Sequence, residues 1–196
     1  MCMKKKILIS ILVIFILLII GGIVLYFNDA LRFKLSYEYI NFVEYSNGKR
    51  IEISVPVDNR MKYVSEDELL DLFEDGTGVL YFGYNTCPWC RNAVPVLIDT
   101  VKKNDIDTIY YADLHKLDMD SIRSKLYEIL DSYLRDDGEG KKVLAVPDVY
   151  FIKNGKIIGH HIGTVDSYKN PYDGMSKKQV KELSEIYYEL IKEMES

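Results

Sequence analysis

The sequence predicts an α/β fold: a mixed sheet flanked by helices, with an N-terminal transmembrane helix and a short β-hairpin extension. Three observations predict it. From Lys62 to Glu195, short apolar runs alternate with amphipathic stretches in the order β-α-β-α-β-α-β-β-α, the pattern of a sheet covered on both faces. Ile7 to Phe27 contains no charged residue. Asn47-Gly48 lies between the aromatic-rich stretch Tyr37 to Tyr45 and the alternating Ile51, Ile53, Val55 and Val57, which is a strong hairpin signal.

The N-terminal stretch is read first. At ~1.5 Å rise per residue, Ile7 to Phe27 reaches roughly 31 Å, enough for a bilayer core. Lys4, Lys5 and Lys6 precede it, so the positive-inside rule places the N-terminus in the cytoplasm. A cleavable signal peptide would have a shorter apolar region and small residues at its cleavage site, and Asn28-Asp29-Ala30 is a poor match. The expected organisation is a cytoplasmic tail over 1–6, a membrane anchor over 7–27 and a juxtamembrane extension over 28–61. A domain over 62–196 follows, with a helical insertion near 114–142. The chain is expected in the cell membrane, single-pass, with this domain outside the cytoplasm. The extension is expected to pack without taking part in chemistry.

Composition is that of a globular chain, 48% hydrophobic and 28% charged, with net charge −5. Three of the positive charges sit at the N-terminus, so the body is more acidic still. That balance argues against nucleic-acid binding, which needs a basic surface. Only three cysteines occur, Cys2 beside the start and the close pair Cys87 and Cys90. A disulfide-stapled scaffold is therefore excluded, and Cys2 is read as an inert thiol.

In chain order, Lys62 to Val64 reads as a short strand. Ser65-x-x-Glu68 is a capping box before the helical face Leu69, Leu70, Leu72 and Phe73. Val79 to Tyr84 is a buried strand, and a helix then runs from the cysteines to about Asn104, with Ala93, Val94, Leu97 and Val101 inward and a kink at Pro95. Asp107 to Ala112 is the next strand. Asp120 is the expected N-cap of an amphipathic helix carrying Ile122, Leu126, Ile129, Leu130, Tyr133 and Leu134. Asp136 to Lys142 is a polar loop. Val149 to Ile152 and Ile157 onward form a strand pair around the Lys153-Asn154-Gly155-Lys156 turn, and Ser176 to Glu195 is a closing helix.

The chemistry gathers at Cys87-Pro88-Trp89-Cys90. Thiols at i and i+3 on a first helical turn can close a disulfide, and Pro88 suits that turn because its missing N–H would have no partner there. A helix N-terminus presents unpaired N–H groups and partial positive charge, which favour a thiolate on Cys87. A structural disulfide is the bland alternative. Zinc is disfavoured because it takes four ligands and no second C-x-x-C occurs. His160 and His161 are adjacent, so on a strand they point to opposite faces. No metal site and no cofactor beyond a redox-active Cys87–Cys90 disulfide is expected. His115 is read as a surface residue, and Arg91 either supports the Cys87 thiolate or is solvated.

A C-x-x-C at a strand-to-helix junction in this pattern reads as a thioredoxin-like redox motif, and the chain from about Lys62 to Glu195 resembles the thioredoxin superfamily. The strand-turn-CPWC-helix unit with Pro95 carries the resemblance, together with Val146-Pro147 and the hairpin from Phe151 to Gly163. The resemblance implies a cis peptide at Val146-Pro147 facing the cysteines, with Cys87 attacking a substrate disulfide and Cys90 resolving the mixed disulfide. It also implies protein thiol or disulfide substrates, contacted by Pro88, Trp89, Val146 and Pro147, and a membrane redox partner. Trp89 is expected as an exposed contact platform. Phe82-Gly83 and Thr86 to Arg91 look most like the bacteriocin-transport accessory proteins and related membrane-anchored proteins of Gram-positive bacteria. A non-catalytic accessory protein for peptide or bacteriocin export is the second functional reading. Tyr81 stands where thioredoxins carry a buried acid, so proton transfer to and from Cys90 needs water or another group.

Overall fold

The computed structural model describes residues 2–196, with the side chains of 7–24 and 28–196. Met1 and the side chains of the expected lysine tail and of Phe27 lie outside the described residues. Helix α1 (Cys2–Phe27) is long and apolar enough to cross a membrane, and its side chains from Ile7 to Val24 are all exposed. After Asn28, whose side chain caps it by accepting from Leu31 N–H at 2.8 Å, α2 (Asp29–Tyr39) begins. A 3₁₀ turn at Ile40–Phe42 ends that segment.

The domain then runs β1 (Met61–Tyr63), α3 (Glu66–Glu74), β2 (Gly78–Gly83), α4 (Pro88–Lys103) and β3 (Ile109–Asp113). It continues with α5 (Met119–Ile129), β4 (Arg135–Asp136), β5 (Lys142–Val143), β6 (Asp148–Lys153), β7 (Lys156–Ile162) and α6 (Lys177–Glu195). Five strands form one mixed sheet in the order β1-β3-β2-β6-β7. The β1, β3 and β2 pairings are parallel, and β6 and β7 add antiparallel.

Strand β2 lies at the centre and alternates strictly. Val79 and Tyr81 face a core built with α2, α4 and α6, whereas Leu80 and Phe82 face a second core built with α3 and α5. Helices therefore cover both faces. The capping box at the start of α3 is present: Ser65 Oγ accepts from Glu68 N–H, and the Glu68 carboxylate accepts from Ser65 N–H. The β6–β7 turn uses Asn154 and Gly155 at positive φ, 50° and 74°, as such turns require.

The extension departs from the expected hairpin. The turn exists, with Tyr45 N–H bonded to Lys49 C=O at 3.0 Å, but no strand forms on either side. The first arm is helical through Tyr39, so the alternating arm after it has no strand to pair with. Side chains satisfy its backbone instead. Asn41 exchanges two hydrogen bonds with Ile53, Glu38 accepts from Val55 N–H, and Lys34 donates to Val55 C=O. Phe33, Tyr37 and Val55 are buried in the same core as β2 and α4; full burial of a side chain such as Phe33 contributes roughly 1.5–3 kcal/mol.

Between 114 and 142, α5 is capped by Asp118, not Asp120: the Asp118 side chain accepts from Asp120 N–H at 3.1 Å. The helix ends at Ile129, so Tyr133 and Leu134 lie in the turn beyond it. The polar loop is held between β4 and β5 as a small two-stranded ladder.

Candidate active site

Strand β2 delivers the motif. It ends at Gly83, and a tight turn bonds Cys87 N–H to Tyr84 C=O at 3.3 Å. Cys87 then occupies the N-cap of α4 in extended backbone conformation, with Pro88 in the first helical turn. Its sulfur accepts from Cys90 N–H at 3.2 Å, the hydrogen bond a serine or aspartate oxygen makes at other N-caps. Cys87 and Cys90 are both free thiols.

The loop before β6 faces them. The Val146-Pro147 peptide is cis, and the Cys87 thiol lies 3.9 Å from Val146 C=O, toward which it donates. Pro147 is buried, and its C=O accepts from Gly163 N–H at 2.7 Å. A cleft of about 390 Å³ lies alongside, lined by Trp89, Val146, Gly163, Val165 and Tyr168 among others. Trp89 is half-buried, its ring meeting Tyr168 edge-on at 5.6 Å. It is thus a cleft wall and not the exposed platform expected, because the loop after β7 folds over it. Pro88 is also half-buried.

Both cysteines are buried, Cys87 3% exposed and Cys90 fully, so Cys87 is not the exposed thiol expected of the helix tip; the loop that carries Val146 and Pro147 lies against it. The two thiols differ instead in their electrostatics. The Cys90 thiol, hydrogen-bonded to the Cys87 sulfur, holds the Cys87 thiol below the usual range; the N–H groups of Cys90 and Trp89 add to this, while burial opposes it. Burial pushes Cys90 well up, and the neighbouring Cys87 sulfur pushes in the same direction. A lowered attacking thiol beside a raised buried one separates the two roles that thiol–disulfide exchange needs.

Several neighbours were out of reach of sequence reading. Arg91 is neither solvated nor aimed at Cys87. It is fully buried and donates to the C=O of Tyr37, Ile51 and Asn85 and to the Asn41 side-chain oxygen. Asn85 donates to Ser36 C=O and Oγ, and Tyr45 Oη donates to Thr86 C=O at 3.1 Å. The extension therefore grips the motif's turn on one side. Tyr37 Oη and Tyr81 Oη lie 2.9 Å apart in full burial. His160 lies 3.0 Å from an Asp148 oxygen and His161 2.7 Å from Thr164 C=O, so their rings do not converge. His115 is exposed and stacks on Tyr84.

No family model matches the chain, and no curated protein matches it. Solved structures do. Thioredoxin O1 from Arabidopsis thaliana in the oxidized state is 22% identical, covering 65% of this chain and 97% of its own, with a TM-score of 0.37. Thioredoxin from Aeropyrum pernix is 23% identical over 66% of this chain and 90% of its own, at 0.38. Thioredoxin O2 from Arabidopsis thaliana is 19% identical over 66% and 96%, at 0.40.

Proposed function

On a thioredoxin-like fold with its dithiol at the tip of the central strand, we propose that the chain is a thiol–disulfide oxidoreductase acting on protein cysteines. The observation that carries this reading is the Cys87 sulfur at the N-cap of α4, bonded by Cys90 N–H and facing the Val146 carbonyl. A structural disulfide would need neither a lowered thiol nor an open cleft beside it.

In the reductive direction, Cys87 thiolate attacks a substrate disulfide sulfur, one substrate thiolate leaves, and a mixed disulfide forms. Cys90 then attacks the Cys87 sulfur and releases the second substrate thiolate. Trp89 and Val146 line the cleft through which an extended substrate segment passes. The Val146 backbone edge is the element such a segment would align with. Reductase, oxidase and isomerase share this arrangement, and a membrane redox partner resets the pair.

Helix α1 supports tethering to a membrane, and Lys4, Lys5 and Lys6 in the sequence before it support a cytoplasmic N-terminus with the domain outside. The likeness of Phe82-Gly83 and Thr86 to Arg91 to bacteriocin-transport accessory proteins supports secreted peptides as substrates or cargo. The test is turnover of insulin disulfides by the full chain in detergent with dithiothreitol as donor. Catalysed precipitation of the insulin B chain is the expected result. No acceleration over dithiothreitol alone would favour the non-catalytic accessory reading.

A further inference from the structure

Seven large apolar side chains are exposed among the described residues after α1, and five of them, Leu35, Tyr39, Phe42, Val43 and Val57, lie in the extension. Three sit together on α2 and the 3₁₀ turn that continues it. From Asp29 to Phe42, every exposed side chain is apolar or aromatic: Leu35, Tyr39 at 71% and Phe42 at 77%. Their spacing of four and three residues puts them on one helical face. The opposite face carries Phe33, Tyr37 and Ile40, all buried. The four charged side chains of α2 are half-buried and paired with one another, Asp29 with Arg32 at 2.9 Å and Lys34 with Glu38 at 2.6 Å. A surface helix normally turns its charges to water and its apolar stripe to the core. This helix is apolar on both faces, so its outer face calls for a second apolar cover.

We propose that this face is a membrane-docking surface, lying in the headgroup layer of the bilayer that α1 spans, with the domain resting on the other side of α2. The inference rests on the membrane-tether reading of α1 and deepens it. Continuity of the chain identifies lipid as the cover. Helix α1 ends at Phe27 and α2 starts at Asp29, with only Asn28 between them. Once α1 spans, the covalent connection holds the first turn of α2 at the bilayer surface. Asn28 has extended φ and ψ of −117° and 90°, so α2 does not continue the axis of α1. From Asn28 to Phe42 the chain covers ~21 Å at ~1.5 Å per residue, against an interfacial layer of roughly 5–8 Å per leaflet. A helix pointing straight outward would carry Phe42 into water. A helix turned into the surface plane keeps Leu35, Tyr39 and Phe42 at the headgroups together. Tyr39 suits that depth, with an apolar ring and a hydroxyl that reaches water. Leu35 and Phe42 supply the apolar area that interfacial helices insert. Ser36, beside Leu35, accepts from the Asn85 amide, and Tyr37 C=O accepts from Arg91. Docking therefore also fixes the turn of the cysteine motif at a set height above the lipid.

The test uses the full chain reconstituted in phosphatidylcholine–phosphatidylglycerol vesicles with two photoactivatable lipids, one carrying its diazirine near the glycerol and the other at the acyl end. Adducts are mapped by mass spectrometry. The acyl-end probe should label α1 between Ile7 and Val24. The glycerol-level probe should label Leu35, Tyr39 and Phe42 and leave Tyr188 on α6 unlabelled. Hydroxyl-radical footprinting of the same vesicles reads the cover from the water side. Tyr188 is 40% exposed, less than Tyr39, so in water Tyr39 oxidises faster. Under lipid the order inverts, with Tyr39 slower about fivefold or more. Tyr39→Glu combined with Phe42→Glu should cut glycerol-level labelling of Leu35 about tenfold, because the apolar area that holds the helix in the interface is lost. Faster oxidation of Tyr39 than of Tyr188, with no lipid adduct on α2, overturns the proposal; so does unchanged Leu35 labelling in the double variant. Protection that vanishes when each vesicle holds a single chain assigns the face to a second copy and overturns it too. Labelled α1 with unlabelled α2 fails the docking surface alone, whereas unlabelled α1 fails the tether reading and the docking surface with it.

Discussion

On the proposed function, Cys87→Ser is expected to abolish disulfide exchange, and Cys90→Ser to convert the protein into a trap. The two outcomes differ because the sulfurs do different things. Cys87 is the sulfur at the helix tip, with the lowered thiol and the facing loop; a serine oxygen there cannot attack a disulfide at useful rates. Cys90 lies one turn further into the helix, fully buried, whereas Cys87, itself 3% exposed, is the sulfur that faces the Val146 loop; on the proposed function Cys90 therefore meets the Cys87 sulfur and not the substrate. Its loss leaves the first attack intact and removes the intramolecular second. Held within one helical turn, a resolving thiol enjoys an effective molarity far above that of free thiols in solution. Mixed disulfides should therefore accumulate on Cys90→Ser and release at least a hundredfold more slowly than from wild type. Non-reducing electrophoresis with mass mapping of the adducts checks this. Equal trapping by both variants, or exchange by Cys87→Ser at the wild-type rate, contradicts the assignment of roles.

Arg91→Met should cost about 2–4 kcal/mol of stability, a large share of the roughly 5–15 kcal/mol of a typical domain. Two effects compete. The substitution removes a buried cation that has no carboxylate partner among the described residues, which relieves a desolvation penalty. It also strips donors from three carbonyls, and buried acceptors left unmet cost about 1–3 kcal/mol each; the Asn41 oxygen loses one donor but keeps the Ile53 N–H. With three carbonyls against one cation, the loss wins. Arg91→Lys should recover only part of it, because an ammonium offers three donors at one point whereas the guanidinium fork spans partners on separate segments. Urea unfolding midpoints measure the effect, and protease sensitivity between 43 and 58 shows whether the extension has loosened. Stability within 0.5 kcal/mol of wild type, a surface-substitution value, would show that the hub carries no weight.

How far the sequence reached depends on the range of the interactions involved. The strand, turn and helix around the cysteines were legible because each signal is local: an apolar run, a polar turn, then Pro88 at a helix start. So were the Ser65–Glu68 cap and the Asn154-Gly155 turn. The extension was legible only in its Asn47-Gly48 turn, not in its pairing. Ile51, Ile53, Val55 and Val57 alternate like a strand, but alternation states only which side chains can face inward. It cannot say whether a partner strand exists, and here the partner stretch is helical, with side chains of Glu38, Asn41 and Arg91 meeting the arm's backbone.

Helix α4 shows the same limit. Its inward face was read from Ala93, Val94, Leu97 and Val101, yet Arg91, Val96, Ile98 and Thr100 are buried as well. The sheet covers one side and the extension and α6 cover others; Thr100 Oγ1, for example, lies 2.8 Å from Ser184 Oγ on α6. Tyr81 was recognisable as a departure from the acid that the resemblance implies, but its partner Tyr37 stands 44 residues earlier. No periodicity connects the two.

The most direct measurement is native alkylation of the reduced full chain with iodoacetamide across pH, mapped by mass spectrometry. Cys87 should react first, with a midpoint below that of an ordinary thiol near ~8.5, and Cys90 should resist until the chain is unfolded. If Cys87 stays unmodified in the folded chain, or reacts only above the ordinary thiol range, its sulfur is not an accessible thiolate and the redox reading fails.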